Sequence, residues 1–253
     1  MNRKFLRMAA AVAWVLALVG CGDLTSANGE FGRVNYALHT DFEVEGTSLT
    51  ETSLLVGHAQ VIHTSPLNSE DYAEDDQISH VVTPEEGVTV VQGAYEGAGD
   101  PWKFEVLVET PGTYVFETWK AETLHDRLEV EFDVPATLDL VAWARAPWED
   151  DFQSLDQGES VEEGTQVAFL PIPLDASGNR IAGDLFAQLE VSEPGMIIPG
   201  ANVWGVYEQS IWASTSPSSV YFIDEGEVDV SLVDVPNAVA ATWSFVVTSS
   251  VSE

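Results

Sequence analysis

The sequence is poor in cysteine and in positive charge. One cysteine, Cys21, stands among 253 residues, and nine lysines and arginines face 42 aspartates and glutamates, for a formal charge of −33 at pH 7. A single cysteine excludes an intrachain disulfide framework, so a fold must close on hydrophobic packing. So few cations exclude nucleic acid as a partner, because such binding rests on lysines and arginines against phosphate. Catalytic signatures are missing as well. There is no Gly-x-Ser-x-Gly elbow, no His-Glu-x-x-His and no phosphate-binding loop. Gly93, Gly97 and Gly99 lack dinucleotide-loop spacing and read as turn residues. The expectation is a protein that is not an enzyme and carries no cofactor, with calcium as the one ion to consider.

What remains is ordinary globular material: 45% hydrophobic and 10% aromatic residues. That excludes a wholly disordered chain. Two domains of roughly 100 residues could each bury a core of their own. Three of the nine basic residues, Arg3, Lys4 and Arg7, lie in the first twenty positions, which hold no acid. The body after them is therefore more anionic still. Its acidity favours solubility and disfavours anionic lipid unless the chain is held there covalently.

A basic start is followed by an apolar run over residues 8–19, MAAAVAWVLALV. The run is too short for a spanning helix of about 20 residues and suits the core of a signal peptide. It ends in Leu18-Val19-Gly20-Cys21, which resembles the lipobox of bacterial lipoproteins. The resemblance implies a signal peptide over residues 1–20, cleavage before Cys21, and acyl chains, palmitate among them, that fix Cys21 to a membrane. Each buried acyl methylene contributes about 0.8 kcal/mol, so two or three chains hold firmly where one does not. Residues 21–30, small and polar, read as a flexible tether. Asp23 is third in the mature chain, not second, so the usual inner-membrane retention residue is missing. This leans towards the outer membrane if the cell is Gram-negative, with the body facing the periplasm or the surface.

Beyond the tether, alternation with period two dominates, and helical periodicity is scarce. Trp102, Phe104, Val106 and Val108 alternate with Lys103 and Glu105; a Thr110-Pro111-Gly112 turn follows; residues 113–120 and 127–134 give two more strands. These three read as one antiparallel sheet with a wet face and a dry face, which must pack on another sheet. Residues 33–39, 53–63, 78–83 and 88–92 supply further strands. Pro111-Gly112-Thr113-Tyr114-Val115-Phe116 resembles the tyrosine corner of immunoglobulin-like sandwiches, with Phe116 where the cysteine usually stands.

In the second half, strands are expected at residues 138–144, 165–170, 184–191, 227–232 and 240–248. Leu174, Asp175, Ala176, Gly178, Asn179 and Gly183 match the "L-D-A-x-G-N-x-x-x-G" turn. This resembles bacterial immunoglobulin-like repeats of the intimin and invasin (Big) type. The fold class expected is all-β: two tandem immunoglobulin-like antiparallel sandwiches, over residues 31–134 and 135–253, after the signal peptide and tether.

Four groups of side chains are to be weighed for binding. Glu70, Asp71, Glu74, Asp75 and Asp76 share one loop, and loop carboxylates can ligate calcium; solvation alone is the plainer reading. Asp175, Ser177 and Asn179 imitate the start of a calcium loop, but Gly178 is misplaced and Phe186 stands where Glu is needed, so they read as a turn. His39, His58, His63, His80 and His125 read as surface or strand-end histidines, since a zinc or copper site needs three ligands with proper geometry. Trp204, Tyr207 and Trp212 lie close together, and exposed aromatics stack on sugars or anchor proteins. The other tryptophans, Trp148 among them, read as core.

The function expected is a non-catalytic, membrane-anchored envelope lipoprotein acting in binding, adhesion or spacing. The other reading is a carbohydrate- or cell-wall-binding lipoprotein that uses exposed aromatics, with or without calcium. Partners would be the membrane through the lipid and an envelope protein or glycan.

Overall fold

The computed structural model describes residues 25–38, 48–68, 78–93, 101–200 and 218–249. Within them the chain folds into two immunoglobulin-like β-sandwiches. The first comprises β1 (Ser26–Asn28), β2 (Val34–Leu38), β3 (Ser53–Leu55), β4 (Ala59–Pro66), β5 (Ile78–Thr83), β6 (Val88–Gln92), β7 (Lys103–Val108), β8 (Gly112–Lys120) and β9 (Thr123–Asp133). One sheet runs β1-β2-β4-β7-β6 and the other β3-β9-β8-β5. β3 lies parallel to β9, and the other pairs are antiparallel.

The alternation in sequence becomes the core. Tyr36, Leu38, Ile62, Phe104, Val106 and Val108 from the first sheet meet Leu54, Val82, Phe116, Leu128, Val130 and Phe132 from the second. Phe116 stands edge-on to Phe104, ring centroids 5.5 Å apart, and fills the place where a disulfide could sit. The tyrosine corner is formed: the Tyr114 hydroxyl donates to the Thr110 carbonyl at 2.9 Å.

The second sandwich comprises β10 (Thr137–Arg145), β11 (Gln153–Leu155), β12 (Ser160–Glu162), β13 (Gln166–Leu174), β14 (Gln188–Val191), β15 (Ile197–Pro199), β16 (Ser218–Phe222), β17 (Gly226–Asp234) and β18 (Val239–Thr248). Its sheets run β11-β10-β13-β16-β15 and β12-β18-β17-β14. Phe169 and Phe222 from one sheet close on Phe245 from the other. Val167, Val220, Val230 and Trp243 complete this core.

Several expectations need correction. The strands at residues 102–109, 113–120 and 127–134 do not share one sheet. β7 pairs with β4, while β8 and β9 pair in the facing layer, because a sandwich folds consecutive strands over its edge. The strand expected at residues 53–63 is two strands in opposite sheets, β3 and β4, separated by a turn at Val56-Gly57. The strand expected at 184–191 forms only over β14, and residues 184–187 run as irregular chain. The tether assigned to residues 21–30 ends early. Thr25 is fully buried, and Ser26–Asn28 pair with β2 as an edge strand, since Leu38 N–H donates to the Thr25 carbonyl at 2.9 Å.

Candidate functional site

The candidate site is the joint between the sandwiches. It joins a turn that stands out in sequence, Asp175 to Gly183, to partners such as Gln60, Asp184 and Asp234 that do not. The Asp175–Asn179 turn is closed by its own side chains. The Asp175 carboxylate accepts from Ser177 N–H at 2.7 Å, Asn179 N–H at 2.8 Å and Asn179 Nδ2 at 2.9 Å. The hydrogen bonds from Asn179 hold its carboxyl below the usual value. Both carboxylate oxygens are thus occupied within the turn, as the turn reading expected.

The chain leaving that turn runs against the first sandwich. Ala182 pairs with β3: Leu55 N–H donates to the Ala182 carbonyl and Ala182 N–H to the Ser53 carbonyl, each at 2.9 Å. Ala182 joins the core of the first sandwich. Leu55 in turn packs with Leu138, Ile181 and Leu185 in a small apolar cluster shared by both domains. Each such side chain, fully buried, contributes about 1.5–3 kcal/mol.

Two buried polar pairs fix the register of this contact. Gln60, fully buried, faces Asp184 as one strand faces another. Its Oε1 accepts from Asp184 N–H at 2.7 Å and its Nε2 donates to the Asp184 carbonyl at 3.3 Å. Gly183 makes this approach possible. Its φ is +124°, and a Cβ there would fall inside van der Waals contact with the Gln60 amide.

His58 and Asp234 form the second pair. Phe186 N–H donates to His58 Nδ1 at 3.4 Å, which leaves the ring proton on Nε2, directed at Asp234 Oδ1 at 2.9 Å. Asn237 Nδ2 donates to Asp234 Oδ2 at 2.8 Å and to the Val56 carbonyl at 3.0 Å, so one amide also spans the joint. Burial alone pushes the Asp234 carboxyl up. The hydrogen bonds from His58 and Asn237 outweigh it and hold the group below its usual value of 3.8. A carboxylate buried with its partners present is tolerated; left without one it is costly.

An open groove of about 550 Å³ follows one side of the joint, with Glu51, Glu131 and Asp133 on the first sandwich and Asp175 and Arg180 on the second. Among the described residues no three His, Cys, Asp or Glu side chains gather as a metal site.

The histidines depart from expectation. His58, His80 and His125 are buried, where surface or strand-end positions were expected. His80 stacks on Phe104 with ring centroids 4.5 Å apart, and its Nδ1 lies 3.3 Å from the Thr118 hydroxyl, which meets the Tyr36 hydroxyl at 2.9 Å. His63 lies within β4 and not at its end. His39 lies outside the described residues, as do Cys21, the calcium candidates Asp71, Glu74, Asp75 and Asp76, and the aromatic trio Trp204, Tyr207 and Trp212. Trp148, read as core, is 65% exposed, because it sits past the end of β10 in a tight turn.

Sequence reasoning also missed Asp126. Fully buried, its carboxylate accepts from the backbone N–H groups of Phe31, Arg33, Val34 and Arg127 at 2.7–2.9 Å. It pins the turn that leads into β2. In sequence it falls just before the strand expected at residues 127–134, and the structure extends that strand, β9, back over it.

No family model matches the chain, and no curated protein matches it. Solved structures do. FdeC, a broadly conserved adhesin of Escherichia coli, is 16% identical, with 88% of this chain and 65% of that one covered and a TM-score of 0.30. Domains 5–6 of the surface-layer protein SbsC are 14% identical over 85% of this chain and 100% of that one, with a TM-score of 0.30. Invasin, a bacterial integrin-binding protein, is 10% identical over 86% of this chain and 39% of that one, with a TM-score of 0.32. The chain thus spans less than two thirds of the FdeC and invasin chains it resembles.

Proposed function

We propose that this chain is a non-catalytic envelope lipoprotein, anchored through Cys21, whose two sandwiches act as one stiff module for binding or spacing. The joint carries the proposal. Two β-sandwiches on a simple linker would swivel, and a covered joint with backbone pairing, a shared apolar cluster and two buried polar pairs opposes swivelling. Rigidity of this kind suits a module that must hold a contact surface at a set distance. It is no requirement of catalysis, and the groove beside the joint presents the exposed carboxylates of Glu51 and Glu131 to water.

The anchor is supported by Leu18-Val19-Gly20-Cys21 after a basic start and a short apolar run. With β1 starting at Ser26, Cys21 stands only four positions before the fully buried Thr25. An extended chain of four residues spans at most about 14 Å, so a lipid on Cys21 would hold the first sandwich close to the bilayer. Metabolic labelling with a palmitate analogue tests this reading. The wild type should take up label and partition with membranes. Cys21→Ser should lose both; a variant that stays in the membrane fraction would refute the anchor.

A further inference from the structure

We infer that the end of the second sandwich remote from the joint is a docking surface for a protein with a basic rim around an apolar pocket, with Trp148 as the anchor that enters that pocket. The inference rests on the reading of the chain as a binding module and is independent of the lipid. The strand registers define this end. β10 runs from Thr137 to Arg145 away from the joint, and Arg145 pairs with Gln166, Gln166 with Tyr221, and Gly226 with Val247. Trp148 follows Arg145 by three residues, so it lies at the free tip.

Trp148 is 65% exposed, and its turn is braced from several sides. Glu149 N–H donates to the Ala146 carbonyl at 3.0 Å. The Arg145 guanidinium lies 4.8 Å from the centre of the Phe152 ring and donates to Gln166 Oε1 at 2.6 Å. Pro147 lies against Gly164, where φ is +88° and a Cβ would come within 2.7 Å of the proline ring. A turn held this way presents its indole without a large ordering cost on binding, which is what a contact hot spot needs.

The surroundings state the chemistry of the partner. Gly164 N–H donates to the Phe222 carbonyl at 2.7 Å, which brings the next residue, Ile223, to the same end; Ile223 is 41% exposed. Glu149, Asp150 and Asp151 follow Trp148, and Asp224 and Glu225 follow Ile223, all five exposed. Arg145, the nearest cation in sequence, is engaged with Phe152 and Gln166. Apolar side chains with an acidic rim match the anatomy of a protein interface, and the rim selects lysine and arginine on the partner. A bare sugar-stacking platform would not need that charge.

Three synthetic 15-residue peptides serve as probes: lysine alternating with leucine, lysine with glutamine, and glutamate with leucine. Titration is followed by calorimetry on the mature chain with Cys21→Ser. The lysine–leucine peptide should bind best and the glutamate–leucine peptide should not bind. Trp148→Ala should weaken binding tenfold or more. Neutralising Glu149, Asp150 and Asp151 to their amides should do the same, while neutralising the exposed Glu85, Glu86 and Glu109 of the first sandwich should change affinity less than twofold. Unchanged melting temperatures would confirm that the variants fold. Binding that ignores Trp148 would overturn the tip while leaving a binding module in place. No binding to any peptide or to a peptidoglycan fragment would overturn the tip and the binding reading together. Trp148-dependent binding of a peptidoglycan fragment, with the peptides inert, would overturn the protein partner.

Discussion

His58 and Asp234, 176 residues apart in the chain, meet across the joint through a 2.9 Å hydrogen bond, with side chains 3% and 0% exposed. Removing either partner strands the other in a dry site. His58→Ala and Asp234→Ala should each lower stability by about 3 kcal/mol. The double variant should lose clearly less than the sum of the two, because the second removal leaves no orphan. Urea unfolding of the four proteins measures this.

Asp234 also gives the joint a sign of pH dependence. Its folded value lies below the ordinary 3.8. The stabilisation is therefore present above the unfolded value and is lost as pH falls through the folded one. The stability difference between wild type and Asp234→Ala should be full near pH 7 and shrink below about pH 4. A difference that grows on acidification would reverse the assignment.

Gly183 is the tightest point of the joint. Gly183→Ala should push Gln60 away from Asp184 and cost about 1–3 kcal/mol, as overpacking does. Its signature should be local. Proteolysis should speed up at the link between β9 and β10, around residues 134–136, while the circular dichroism of the sheets is preserved. Gln60→Glu should behave similarly, since it removes the amide donor to the Asp184 carbonyl.

Asp126 should matter for the entry to the first sandwich. Four backbone donors converge on its carboxylate. Asp126→Ala leaves the buried Val34 N–H and three partly buried donors without their acceptor and should cost about 3 kcal/mol. Hydrogen exchange should quicken at Phe31, Arg33 and Val34 before it does in β8 and β9.

Much of the sheet framework could be read from alternation, because period-two patterning is itself the record of one buried face. Phe104 and Phe132 face inward by that rule, and Tyr114 and Phe116 by the corner motif. Layer assignment was less legible: the turn at Val56-Gly57 sends β3 and β4 into different sheets, and nothing in the local pattern says so. The joint was legible only as a turn motif. Asp175, Asn179 and Gly183 stood out in sequence, but what they position against does not, since Gln60 and Asp184 lie 124 residues apart. Trp148 was misjudged because a tryptophan is ordinarily buried, and only the braced turn at the end of β10 turns it outward.

Spin labels on Glu122→Cys, beyond β8 in the first sandwich, and Asp224→Cys, at the tip of the second, test the stiffness of the joint most directly. The mature chain would carry Cys21→Ser, and the distance would be read by pulsed electron resonance. A locked joint predicts one narrow distance distribution that broadens when His58→Ala is added. A distribution already broad in the parent, unchanged by His58→Ala, would contradict it.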